Sequence, residues 1–309
     1  KQGTPLTRDD HWLAVANRIL NSYLPARGNI VLNQLRAVGL VPGVSAPTFS
    51  RFGGVVTDGF NLTMTAPSGG TILYTLNGTD PRAIGGGEAA GARRYTGPVV
   101  LTDGVLVRAR VHRVDATTNE WSGLTEAVFF IDQDFSGLQL SEIHYNPAAA
   151  VPPGEFSAQD FEFVELKNAG TVELDLSGLR FADGIGYEFP LGTRLAPGRF
   201  LVLAENAAAF TNRYPARRAD GVYSGQLSNG GERVSLAGPD GRVLISVDYG
   251  TAAPWPATPD GLGFSLVPRD PFRNPAPGEG AGVINAVLAA AVTPQTFVPA
   301  LNTAGRRVV

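Results

Sequence analysis

Hydrophobic and polar positions repeat with two different periods along this chain, and the switch falls near residue 45. Before it, Trp12, Leu13, Val15, Ala16, Ile19, Leu20 and Tyr23 recur at helical spacing, and Asp9 or Asp10 can cap the helix they predict. Pro25 and Gly28 interrupt that pattern. Ile30, Val31, Leu32, Leu35 and Val38 then predict a second helix that ends near Gly39 and Pro42. The pair has an apolar stripe but is too small to stand alone, so it is expected to pack on the following domain or on sequence upstream. After Ala46 the period becomes two. Phe60–Thr65, Thr71–Leu76, Val99–Leu101, Leu106–Val114 and Leu124–Phe130 read as strands, with turn chemistry at Ser68-Gly69-Gly70, Asn77-Gly78 and Asp103-Gly104. Gly85–Gly91 is a small-residue loop, expected to be mobile.

A second alternating run extends from Leu138 to Pro268, after a short polar linker at Asp132–Gly137. Short strands at this spacing, with frequent turn signals, predict sandwiches rather than helical layers. The expected fold is therefore mainly β: two consecutive immunoglobulin/fibronectin-like β-sandwiches with a short N-terminal helical pair. The divisions fall at 1–44, 45–133, 134–270 and an Ala/Pro/Gly-rich tail, 271–309, where Val283–Val292 could form a strand or short helix.

The residues carry three resemblances. Tyr74, Thr75, Asn77, Gly78, Asp80 and Pro81, followed by Tyr95, Pro98, Val107, Ala109 and Val111, resemble the C-terminal accessory domain of chitobiases and β-hexosaminidases. That resemblance implies an appended module without chemistry of its own. SEIHYNP (Ser141–Pro147), FEFVELKN (Phe161–Asn168), DLSG (Asp175–Gly178), FPLGTRLAPGRFLVL (Phe189–Leu203), LSNGGE (Leu227–Glu232), PWP (Pro254–Pro256) and DGLGFSL (Asp260–Leu266) follow in the order of the bacterial lamin-tail domain, an immunoglobulin-like sandwich. Ser141 stands where that family has Asn. Finally, YLPARGNIVLNQLRAVGLVP (Tyr23–Pro42) is similar to the end of a CotH-type kinase domain. The resemblance implies a large secreted or cell-surface bacterial parent with a kinase-like domain upstream, its nucleotide and metal residues before Lys1. A first residue other than Met, with no signal-like apolar region, reads as a fragment or processed product.

Composition narrows the function. Gly 38 and Pro 23, with only 17% charged residues, suit many tight turns. No cysteine is present, which excludes a disulfide scaffold, a Cys-ligated zinc site and a thiol nucleophile. A net charge of -3 without a basic block argues against nucleic acid as a partner. No run reaches the ~18 to 20 apolar residues of a membrane span, and Ala281–Val292 is too short.

The chemistry-bearing residues are sparse. Glu142, Glu162, Glu165, Asp183 and Glu232, with Asn168, form the most suggestive set. Carboxylates and an amide in strands must be paired, hydrogen-bonded or ligating, because unpaired burial is costly. One reading is a calcium site built from Glu142, Glu165, Asn168, Asp183 and Glu232, since hard cations take several oxygens. The other is that Glu142 and Glu165 bond loop amides and lock the Gly-rich turns. His11, His112 and His144 are scattered; His112 should share a solvent-facing stripe with Arg108 and Arg110, and His144 reads as a satisfied strand-end residue. No nucleophile elbow surrounds Ser265. Trp121, in the turn-like NEWSG, and Trp255, between two prolines, are the candidate aromatics for stacking on a sugar, Trp121 being the better placed for exposure; the favoured reading for both is core or edge packing, with Trp255 a packed corner. The expected role is a non-catalytic structural, adhesive or binding segment that meets protein or glycan at the cell surface. The alternative is a carbohydrate-binding module of an enzyme whose catalytic domain lies upstream, or part of a CotH-type kinase.

Overall fold

The computed structural model describes residues 7–67, 69–117, 119–149, 154–253 and 255–268, and the backbone of Ile284–Val287, Ala300–Leu301 and Arg307–Val308. Ser68, Pro254 and most of the 271–309 tail lie outside the described residues. The chain is mainly β, with two immunoglobulin-like sandwiches following an N-terminal helical run. Two compact units divide it: one takes in described residues of Lys1–Phe52, Leu62–Val99 and Leu106–Ala127, the other those of Gly53–Asn61, Val100–Val105 and Val128–Val309.

In the first unit the two expected helices are one run: a π-turn Arg8–Trp12, α1 (Leu13–Arg18), a second π-turn Ile19–Tyr23 and α2 (Leu24–Ala37). Pro25 does not break it. The Leu24 N–H reaches Ile19 O, a wide i→i+5 closure, and Pro25 then falls in the first turn of α2, where its missing N–H is tolerated. The cap is Thr7, whose hydroxyl accepts the Asp10 N–H, rather than Asp9 or Asp10. No residue of this run is buried. The expected packing of its apolar stripe is therefore not realised among the described residues.

The first unit's sheet pairs β1 (Thr71–Thr75) with β2 (Val105–Val114), and β3 (Asn119–Trp121) folds back on β2. Val107, Ala109 and Val111 of β2 point inward and are fully buried, as period two requires. The predicted strand Phe60–Thr65 is two pieces, Phe60–Leu62 and Met64–Thr65, the latter pairing with Thr48–Phe49.

In the second unit, β4 (Leu138–His144), β5 (Phe163–Asn168), β6 (Arg180–Asp183), β7 (Phe200–Ala204), β8 (Gly221–Val222), β9 (Gly231–Ala237), β10 (Val243–Gly250) and β11 (Ser265–Pro268) form two sheets, ordered β8-β7-β5-β4-β11 and β6-β9-β10. Ile284–Val287 extends the first beyond β11. Between the sheets lies a core of Leu138, Leu140, Ile143, Tyr145, Val164, Leu166, Phe189, Leu203, Val234, Leu236 and Val247, among others. Each such side chain contributes about 1.5–3 kcal/mol by leaving water.

A bulge sets which side chains face that core. The β4/β5 register shifts between Leu140 and Glu142, so Ser141 is an extra residue on β4. Core residues are therefore even-numbered before it (Leu138, Leu140) and odd-numbered after it (Ile143, Tyr145). The opposite face receives Gln139, Glu142 and His144, which stand across from Lys167, Glu165 and Phe163. Over that outer face packs α3 (Ala207–Arg213), which seals Phe163, Ala204, Phe210 and Tyr214 into a small second core. The Asn206 side chain caps α3 by accepting the Ala208 and Ala209 N–H groups.

Candidate functional site: buried polar groups of the second sandwich

The outer face of the first sheet holds two opposed carboxyl groups. Glu142 on β4 and Glu165 on β5 are directly opposite and only 1% and 5% exposed. Each takes a serine hydroxyl: Ser265 Oγ donates to Glu142 Oε1 at 2.5 Å, and Ser141 Oγ donates to Glu165 Oε1 at 2.8 Å. Burial pushes the Glu165 carboxyl up to about 7, against the pull of the Ser141 hydroxyl, Lys167 and Arg217. Neither glutamate was expected to rely on serine. The bulge explains it, because Ser141 is the residue the extra turn of backbone brings against Glu165.

His144 lies two residues along the same face. It is 1% exposed and packs edge-on against Phe163, with ring centroids 5.2 Å apart. Among the described residues neither ring nitrogen has a hydrogen-bond partner, which differs from the expectation of a satisfied strand-end histidine. Phe163, itself packed edge-on against Phe210 and Tyr214, gives the imidazole an apolar neighbour. Burial, then the nearby Arg213 charge, hold the imidazole down to about 3, so it is neutral. Arg213 itself donates to Ala148 O at 2.7 Å and lies 3.5 Å from the Phe161 ring centroid.

On the core side a second acidic group fixes a turn. The one-turn 3₁₀ helix Gln159–Phe161 delivers Glu162 into the sandwich, where it is 0% exposed. Its Oε2 accepts the Leu227 N–H at 2.8 Å and the Tyr223 hydroxyl at 3.3 Å, while Oε1 has no partner among the described residues. Burial pushes this carboxyl up to about 7; the two donors oppose the rise, and Glu205 and Glu232 add to it. Glu232 Oε1 accepts the Ser228 N–H at 2.6 Å, and the Tyr249 hydroxyl donates to Ser228 O at 2.7 Å. The turn Leu227–Glu232 is thus held by two glutamates and a tyrosine. Gly231 closes it with φ +100, in the left-handed region, where a Cβ would lie 2.5 Å from Tyr249 O.

The calcium set is not assembled. Glu142 and Glu165 face the outer side; Asn168 is consumed by Val172 O, Leu195 O and the Gly170 N–H; Asp183 takes the Ser235 hydroxyl; Glu232 belongs to its turn. Among the described residues no three histidine, aspartate or glutamate side chains converge closely enough to hold a metal ion. Glu162 and Glu232 bond loop amides, those of Leu227 and Ser228. Glu205, Tyr223 and Tyr249, which complete the Glu162 cluster, stand outside the motifs read as chemistry. Only folding brings them there.

Trp121 is not at an exposed tip. As the last residue of β3 it stands opposite His112 on β2, stacks on that imidazole at 4.0 Å and 9°, and is 7% exposed. Its indole N–H donates to Gly86 O at 2.7 Å, tying down the Gly85–Gly91 loop expected to be mobile. The basic stripe is likewise engaged rather than solvated: Arg110 pairs with Asp80 and donates to Ser122 O, and Arg108 pairs with Glu126. Trp255 is half-buried against the second core.

Comparison with known proteins gives two family-model matches, each over part of the chain. Residues 132–251 match the family model "Lamin Tail Domain", and residues 60–124 match the model "Fn3 associated". A crystal structure of a DUF4876 family protein from Bacteroides thetaiotaomicron aligns at 12% identity and TM-score 0.38, over 79% of this chain and 96% of that one. No curated protein matches the chain.

Proposed function

We propose that this chain is a non-catalytic structural or binding segment of a larger bacterial protein, displayed outside the cytoplasm. One observation carries the reading: in the lamin-tail match, the buried acidic and amide side chains serve the fold's own turns and strands. Glu162 and Glu232 secure the 227–232 turn, and Asn168 secures the 168–172 turn. A catalytic constellation needs a nucleophile, its base and an orienting group within hydrogen-bond reach; the carboxylates described instead bond backbone groups and serine or tyrosine hydroxyls. The accessory-domain likeness and the Tyr23–Pro42 phrase support a CotH-type multidomain parent, in which these modules act as spacers or adhesive surfaces. The buried Trp121 removes the leading sugar-stacking residue, so protein contact is favoured over glycan.

Two measurements test this. Protease shaving of intact source cells should release peptides of residues 46–250. The purified chain should turn over no phosphate-ester, glycoside or peptide substrate; phosphotransfer or hydrolysis by this chain alone would overturn the proposal, as would exclusive recovery from the cytoplasm.

A further inference from the structure

We propose that Glu142 and Glu165 form a proton-held latch under a cover made of α3 and the segment 214–220: with the cover closed the pair keeps one proton, and release of that proton to water loosens the cover. This goes beyond a spacer role, because it gives the lamin-tail module a conformational response of its own.

The geometry comes first. Directly opposed residues of an antiparallel pair have Cβ atoms ~4.5–5.5 Å apart, and both glutamates are nearly sealed from water. Two negative carboxylates at that spacing in a low-dielectric site repel strongly, so the pair retains a proton. The donors that Ser141 and Ser265 supply are neutral hydroxyls.

The cover is what keeps water out. Val202 stands opposite Glu165 on the next strand, and the cover is laced to it: the Asp220 N–H donates to Val202 O, and the Val202 N–H donates to Asp220 Oδ2, both at 2.8 Å. Phe210 and Tyr214 anchor the rest on Phe163. The charged and titratable groups around the latch are His144 on β4, Lys167 on β5, Arg213 and Tyr214 at the end of α3, and Arg217 and Asp220 in the cover. Lys167 and Arg217 favour an ionised Glu165, and Asp220 opposes it. Lys167 directs its ammonium over the Phe200 ring. His144 stays neutral through this range and supplies no counter-charge. Burial also raises Glu165 itself to about 7, which places the response near neutral pH. The sign is fixed: a carboxyl raised in the closed state stabilises closure at low pH and loses that effect as pH rises through 7. Opening would bare Phe163, Phe210 and Tyr214.

Hydrogen exchange of the whole chain, expressed as protection factors at pH 6 and pH 8.5, tests the latch. Protection of residues 207–222 should fall about tenfold, because pH 6 lies about one unit below the closed-state value of about 7 and pH 8.5 lies above it, while β9 and β10 hold theirs. Glu165→Gln should abolish the fall, Glu142→Gln should move its midpoint to lower pH, and Glu162→Gln should keep it. Unchanged protection in the unmodified chain, a fall shared equally by β9 and β10, a fall that survives Glu165→Gln, or a midpoint that Glu142→Gln leaves in place would overturn the proposal. Should the variants not fold, a carboxyl ¹³C titration of the unmodified chain decides: one of the two protons retained above pH 6 supports the latch, and both lost by pH 5 sinks it.

Discussion

Replacing Glu162 by Gln isolates the cost of placing a carboxylate inside the second sandwich. Glu162 is fully buried, and its carboxyl is pushed from 4.5 up to about 7. A raised folded-state value means that its proton stabilises the fold fully below pH 4.5 and that this contribution is lost as pH rises through 7. At about 1.4 kcal/mol per unit the whole effect is at most ~3.4 kcal/mol, of which about 2.5 kcal/mol falls between pH 5 and pH 8. The glutamine carbonyl can still accept the Leu227 N–H, so the turn persists. Any cost of the new amide is nearly the same at both pH values and cancels in the comparison. Urea denaturation at pH 5 and pH 8 gives the readout. Other groups, His144 among them, titrate in both proteins, so the quantity to compare is the pH-induced change in wild type minus that in the variant. The expected difference is about 2.5 kcal/mol in favour of the wild type at pH 5. If both proteins change by the same amount within about 0.5 kcal/mol, the burial argument for Glu162 is wrong.

Acid should act oppositely at His144: its imidazole is held down to about 3, so stability is lost as pH falls from 6.5 toward 3, and His144→Phe should flatten that limb of a thermal-melt series. Gly231→Ala should destabilise by about 3 kcal/mol in chemical denaturation, because the left-handed φ and the close Tyr249 carbonyl leave no room for a Cβ. Trp121→Ala should cost about 3–5 kcal/mol and free the Gly86 loop to proteolysis, whereas an exposed binding residue would leave stability within ~0.5 kcal/mol. Millimolar calcium should leave the melting temperature unchanged to within about a degree, since a ligand of the native state raises it by mass action; a rise of several degrees would restore a calcium site.

Much of the architecture was legible. The period-two alternation of β2, with Val107, Ala109 and Val111 inward, follows directly from the order of residues, as do the Asn77-Gly78 turn and the ordered motifs of the second sandwich. The helical spacing of residues 12–38 was equally clear. Its continuity was not, because a wide π-turn before Pro25 is a backbone adjustment that residue type alone does not announce. The candidate site was legible as a roster of glutamates but not as a geometry.

What the sequence by itself determined is therefore the local grammar: which segments alternate, where glycine permits a turn, and the lack of cysteine or clustered histidine. Tertiary structure decided everything that depends on which face a side chain occupies. The extra residue at Ser141 inverts the parity of β4, so it sends Leu138 and Ile143 to one interior and Glu142 and His144 to the other face. Trp121 passes from loop tip to buried stack because β3 pairs with β2. Glu162, Tyr223 and Leu227 meet only when distant segments close around them. Periodicity is a property of neighbours along the chain, whereas burial, pairing and proton affinity are set by neighbours across space.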